Sequence, residues 1–250
     1  MIWFTIDVEE VTDMNFNVLW RENPTLNYEV YIQKFIKLAK NHNATAFILG
    51  SFAEKHPEIV KIIAQNGIEI ACHGYEHNLV YKEDFIAWCE GVKKAKEILE
   101  QISGMKIQGY RSPSWSLPFE KKYYTQLAKI GFTYSSSYFP MKNYMYGNSI
   151  NKQSPFTIFT EYGSITERPV PKGLIPFSGG FYLRVLPLWL LKYFFKKTID
   201  PVLYVHPYEL MDTNLLFYFK KYTSVNIDYI LAFFTLGKTE TKIKSILHDT

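Results

Sequence analysis

The chain lacks the features that mark several large protein classes. Its 250 residues include only two cysteines, Cys72 and Cys89, so no disulfide framework exists and a reducing compartment is expected. No run of roughly 18 apolar residues occurs, which excludes an obvious membrane-spanning helix. The opening segment Met1-Ile2-Trp3-Phe4-Thr5-Ile6-Asp7 has no basic stretch followed by a long apolar one, so a cytoplasmic location is expected. Net charge is only +4, and lysines and arginines are scattered rather than striped. Nucleic acid is therefore not an expected partner. No repeat, low-complexity tract or linker divides the chain.

What is present points to one well-packed unit. Hydrophobic residues make up 47% of the sequence, enough for a sizeable core, and the length suits one domain over residues 1–250. Aromatic residues reach 17%, with 19 Tyr and 19 Phe. That richness fits either a sugar-stacking cleft or aromatic core packing.

Short apolar runs alternate with helical patterns. Residues 1–7, 44–49, 68–72, 106–110 and 132–136 read as strands. Helical spacing covers 28–41, with Tyr28, Tyr31, Ile32, Phe35 and Leu38 on one face. Ser51-Phe52-Ala53-Glu54 has a capping-box pattern that would open a helix closed by Gly67. Further helices are expected near 83–102, 119–130 and 186–197, with a last one at 225–236. Residues 138–180 suggest long loops with short strands, and 202–206 a late strand. This rhythm predicts a parallel sheet or barrel with helices outside.

Active sites in such folds gather where strands end. The first strand ends in Asp7-Val8-Glu9-Glu10, and period two puts Asp7 and Glu9 on one face. They could serve as base and metal ligand, or form a solvated acidic loop. The third ends in His73-Gly74-Tyr75-Glu76-His77. Two imidazoles four residues apart would meet if this segment forms a helical turn, and a divalent metal accepts such a pair with a carboxylate. Cys72 reads better as a small buried residue than as a ligand. Arg111 follows the fourth strand and could hold a carboxylate ionised; the alternative is a surface arginine. Trp115 could floor a sugar site or simply pack. His206 ends the late strand and could act as a general acid. His42, His56 and His248 read as bystanders.

These clusters, in this order, resemble the polysaccharide-deacetylase (NodB-homology, carbohydrate esterase family 4) superfamily. Thr5-Ile6-Asp7-Val8-Glu9-Glu10 resembles its acidic motif, and His73-Gly74-Tyr75-Glu76-His77 its metal motif. Arg111-Ser112-Pro113-Ser114-Trp115 and Val205-His206-Pro207 resemble its arginine and final histidine motifs. Leu79-Val80-Tyr81, Ser178-Gly179-Gly180-Phe181 and His206-Pro207-Tyr208-Glu209 are similar to a cytoplasmic branch that includes allantoinase-like members. The resemblance spans residues 5 to about 210.

The resemblance implies a distorted, incomplete (β/α) barrel of about seven strands in a single domain. It implies Asp7 as base, Arg111 as its orienting partner and His206 as acid. His73, His77 and a carboxylate after Asp7 would hold a divalent metal, with zinc the first candidate. Many members have adjacent aspartates, whereas Val8 follows Asp7 here. Glu9 is the expected third ligand and Glu10 the fallback. Tyr75, Trp115, Gly180 and Tyr208 would contact substrate. The implied activity is N-deacetylation of an N-acetylated sugar, on a nucleotide- or lipid-linked precursor or a glycan, in surface-polysaccharide synthesis. Alternatives are another amide hydrolase on the same scaffold, such as a deformylase or cyclic-ureide hydrolase, and a silent carbohydrate-binding protein. The segment Arg184–Lys197 is apolar with basic residues; it reads as a packing helix first and as a peripheral membrane contact second. Self-association as a homo-oligomer is left open.

Overall fold

The computed structural model describes residues 1–141, 152–211, 218–234, 237 and 239–248. Its chain runs β1 (Trp3–Val8), α1 (Tyr28–Ala39), β2 (Asn43–Ile48), α2 (Gly50–Lys55), α3 (Pro57–Gln65) and β3 (Glu69–Cys72). It continues through α4 (Phe85–Ser103), β4 (Gly109–Tyr110), α5 (Lys121–Ile130) and β5 (Tyr134–Ser135). A hairpin of β6 (Phe156–Thr160) and β7 (Gly163–Glu167) follows. Then come α6 (Gly180–Val185), α7 (Leu188–Lys197), β8 (Val202–Val205), α8 (Ile227–Phe233) and α9 (Thr239–His248).

The strands form one eight-stranded sheet in the order β6-β7-β5-β4-β3-β2-β1-β8. Every neighbouring pair is parallel except the β6–β7 hairpin. The sheet curls into a distorted, incomplete barrel within a single domain. Strands β1 and β2 are buried on both faces, which explains why apolar residues predominate in both. One face packs against helices through Phe4, Ile6, Phe35, Ile48, Ile63 and Leu99. The barrel interior is aromatic, with Trp3, Phe47, Trp115 and Phe139 together.

Several local expectations are corrected. The helix after β2 begins at Gly50 with Leu49 as its cap, so Ser51 caps nothing. It breaks at His56 because Pro57 disfavours helical backbone at the preceding residue and restarts the helix as α3. Among the described residues the sheet has eight strands, in keeping with the incomplete barrel expected, but the β6–β7 hairpin makes it mixed rather than wholly parallel. The last helix is α9; the apolar spacing near 225–236 corresponds to α8, and 235–236 lie outside the described residues.

Candidate metal centre and catalytic cleft

β1 carries its carboxylates to the carboxyl edge of the sheet, where Asp7 and Glu9 are both buried. Two strands away, β3 ends at Cys72 and releases His73 at the same edge. His77 arrives by a different route from the one its spacing suggests. Residues 73–79 are not helical. The chain doubles back at Gly74, whose φ of +99° a side chain would resist. The first amides of α2 hold this loop, Gly50 N donating to Gly74 O and Ser51 N to Tyr75 O, each at 2.9 Å. The two imidazole centroids thereby lie 5.4 Å apart.

Glu9 Oε2 sits 2.9 Å from His77 Nε2 and 3.7 Å from His73 Nε2. Donor atoms of the three residues all lie within 4.8 Å of one another. His73 Nδ1 lies 2.9 Å from the Arg111 carbonyl, which can only accept, so Nδ1 carries the proton and Nε2 keeps its lone pair. Glu9 Oε2 is buried and faces the His77 and His73 imidazoles. Burial would raise the Glu9 pKa, but His77, His73 and His206 outweigh it and hold the carboxyl far below its usual range. Two imidazole nitrogens and an anionic oxygen, backed by protein on one side, suit zinc or a neighbouring divalent metal with positions open to the cleft. Glu10 is not part of this group; its carboxylate lies 3.4 Å from both Lys55 and His56.

A carboxylate and an imidazole, Asp7 and His206, flank these donors. Arg111, fully buried, donates from Nη1 to Asp7 Oδ1 at 2.6 Å and to Thr5 Oγ1 at 2.9 Å. Its Nη2 donates to Ser136 Oγ at 3.1 Å, and the guanidinium lies 3.9 Å over the Phe47 ring. His206 lies across the site, its Nε2 3.9 Å from Glu9 Oε1 and its Nδ1 3.0 Å from Glu209 Oε2. Burial lowers the His206 pKa, yet the Glu209 hydrogen bond and the charges of Glu9, Glu209 and Asp7 raise it to about 9.

Residues 28–135 match the family model described as polysaccharide deacetylase, and 136–250 match a domain of unknown function, DUF3473. Through residues 28–135 the chain is similar to the NodB-homology polysaccharide deacetylases. Over 85 residues it is 36% identical to the peptidoglycan-N-acetylglucosamine deacetylase of Bacillus cereus, covering 33% of this chain and 31% of that one. Over 188 residues it is 27% identical to the peptidoglycan deacetylase of Helicobacter pylori, covering 73% and 62%. The matches thus span less than two-thirds of either curated relative. The solved Puue allantoinase superposes with a TM-score of 0.59 at 15% identity, over 99% of this chain and 83% of that one, which is a likeness of fold.

The donors open into a cleft of about 270 Å³. Trp115, Tyr208 and Gly180 line it, as do Phe181, Tyr182 and Tyr204. The Tyr208 ring stacks on His206 at 5.2 Å. Gly179 must lack a side chain, because a Cβ would fall 2.3 Å from the Tyr204 carbonyl oxygen. That close approach sets α6 against β8 and brings Gly180 to the cleft. Tyr75 corrects the sequence expectation, since it does not line this cleft. The backward loop turns it toward the solvent side of α2 and α4, where its hydroxyl donates to Glu54 at 2.7 Å and Lys94 lies over its ring.

Three residues escaped the sequence reading. Asn15 Nδ2 lies 3.1 Å from His77 Nδ1 and 3.0 Å from Ser114 Oγ. With the amide turned over, Oδ1 accepts from Nδ1–H, the arrangement that leaves Nε2 free to ligate. Buried Arg184 lies 3.2 Å from Glu209 Oε1 and donates to the carbonyls of Leu231, Ala232 and Phe234 at the end of α8. It anchors Glu209, which in turn orients His206. Only Glu209, inside the His206-Pro207-Tyr208-Glu209 run, had a local signal; Asn15 and Arg184 sit in segments without a motif.

Proposed function

We propose that residues 1–250 form one catalytic domain that hydrolyses the acetamide of an N-acetylated sugar with a divalent metal, zinc being the first candidate. The observation that carries this reading is the meeting of Asp7–Arg111, Glu9–His73–His77 and His206–Glu209 at one aromatic-lined cleft. The deacetylases among its relatives support the reaction class.

Glu9, His73 and His77 would hold the metal. When bound, it would polarise the acyl carbonyl and stabilise the charge that develops on its oxygen. Arg111 occupies Asp7 Oδ1, leaving Oδ2 to take a proton from the attacking water. The water oxygen bonds to the acyl carbon, and the carbon–nitrogen bond breaks. His206 carries a proton at neutral pH because of Glu209, and gives it to the departing amine. Trp115 and Tyr208 offer faces for the sugar ring. A nucleotide- or lipid-linked precursor of a surface polysaccharide is the proposed substrate class.

The test is acetate release by the zinc-loaded protein from nucleotide-linked, lipid-linked and oligomeric N-acetyl sugars. Formate release and ureide opening are followed in parallel. Acetate from one of these sugars is expected; formate or ureide products alone would move the assignment to another amide hydrolase.

A further inference from the structure

We infer that α7 and the loop before α6 form a docking face for an anionic lipid surface. Four large apolar side chains stand in solvent there: Leu174 is 92% exposed, Trp189 and Ile199 71%, and Tyr193 55%. Leu191 and Phe195 already anchor the opposite side of α7 in the core, so the helix needs no Trp or Tyr on its outer side for folding. The loop and the helix are one surface. Lys172 bridges Pro176 across a tight turn whose tip is Leu174, and a Cβ on Gly173 would lie 2.6 Å from the Phe194 ring. Phe177, just after the turn, stacks on Phe194 at 5.2 Å. Trp189 and Tyr193 are four residues apart, hence on one helix face.

Charge selects the occupant. From Arg168 to Ile199 the sequence holds six cations (Arg168, Lys172, Arg184, Lys192, Lys196, Lys197) and no carboxylate. Arg184 is buried, but Lys196 and Lys197 are exposed, and neither pairs with a carboxylate among the described residues. Trp and Tyr with a polar tip, beside lysines that outnumber the single exposed carboxylate next to Ile199, Asp200, complement the headgroup region of an anionic bilayer. No helix of the described residues is long and apolar enough to cross a membrane, so the contact is peripheral.

The face also bears on the cleft. α6 lends Gly180, Phe181 and Tyr182 to the cleft wall, and only Leu186 and Pro187 separate it from α7. Docking therefore places a bilayer against the element that follows the cleft wall in the chain. Given the deacetylase reading, this favours a sugar carried on a lipid; the docking itself does not depend on that reading.

The experiment is cosedimentation of the full chain with phosphatidylcholine vesicles, with and without phosphatidylglycerol. Wild type should pellet only with the anionic vesicles. Binding should weaken by about tenfold or more in Lys196→Glu/Lys197→Glu, and comparably in Trp189→Ala/Tyr193→Ala, and fall with added salt. Circular dichroism and acetate release from a water-soluble substrate should be unchanged in both variants, because neither pair lines the cleft. Wild type that stays in the supernatant overturns the proposal. So does equal binding to neutral vesicles, or a dimer that Trp189→Ala/Tyr193→Ala dissociates in the absence of vesicle binding. Loss of the acetate assay in wild type would count against the deacetylase reading alone.

Discussion

Glu9 Oε2 lies 2.9 Å from His77 Nε2, and both side chains are almost wholly removed from solvent. An anionic oxygen facing imidazole nitrogens in that setting gains most from a shared cation. Glu9→Gln keeps the size and removes the charge. Zinc affinity should drop by about two orders of magnitude, since a ligand is worth at least as much as the outer partners whose loss costs about 10–100-fold. In wild type, zinc at a hundred times its Kd should add about 2.7 kcal/mol to unfolding stability. Elemental analysis and thermal melts read both effects. A Gln variant that binds zinc like wild type would remove Glu9 from the metal site.

Asp7→Asn separates chemistry from binding. Turnover should fall by about 10²–10⁴, the usual worth of a positioned base, while zinc stoichiometry persists. Removing the other partner is harsher. Arg111→Met leaves Asp7 buried without its guanidinium, and should lower stability by about 3–5 kcal/mol in a urea titration. An Asn variant with wild-type turnover would refute the assigned base.

Asn15 acts on His77 from behind. Asn15→Ala should weaken zinc binding by about 10–100-fold with little change in far-ultraviolet circular dichroism. Competition against a fluorescent chelator measures this. Unchanged affinity would reduce Asn15 to a packing role.

Glu209 raises the His206 pKa through its hydrogen bond and charge. Glu209→Gln removes that support, so His206 should lose its proton at lower pH. The alkaline limb of kcat/KM against pH should shift toward acid. A limb that stays in place would assign it to another group.

Stability should carry a separate pH signature from Glu167, which lies at the end of β7 and is fully buried. Burial raises its pKa to about 7 from an ordinary 4.5, against the opposing hydrogen bonds from the amides of Ser137 and Tyr138. The folded state therefore favours the protonated form. The cost is absent below pH 4.5, grows as pH rises toward 7, and is then constant. The shift corresponds to about 3 kcal/mol at most. Glu167→Gln should cancel this slope, seen as the difference between variant and wild-type stability from pH 4 to 8. Parallel curves would show that the carboxyl titrates normally.

Much of the site was legible in the linear sequence because strand ends and reacting groups coincide in this fold. Asp7 lies at the end of a buried strand, and His73, Arg111 and His206 each follow directly from one, so a local pattern singled them out as candidates. His77 was found through its spacing, although the mechanism differs: Gly74 and the first amides of α2 turn the chain back, where a helical turn was expected. Tyr75 was misplaced for the same reason. Inside a helical turn it could have faced the cleft; on the backward loop it faces Glu54 and Lys94.

By itself, the sequence determined the alternation of elements, the acid and histidine candidates and the resemblance to a family. Those properties are local, resting on apolar periodicity and short motifs. The placing of Glu9 rather than Glu10 beside the two histidines, the contact of Asn15 with His77 and the clamp of Arg184 on Glu209 were decided only in three dimensions. Each joins residues 62, 25 or more positions apart, or turns neighbours to opposite sides, and sequence spacing holds no record of such meetings. The physical cause is a strand order that pairs β8 with β1 and so brings His206 to Glu9.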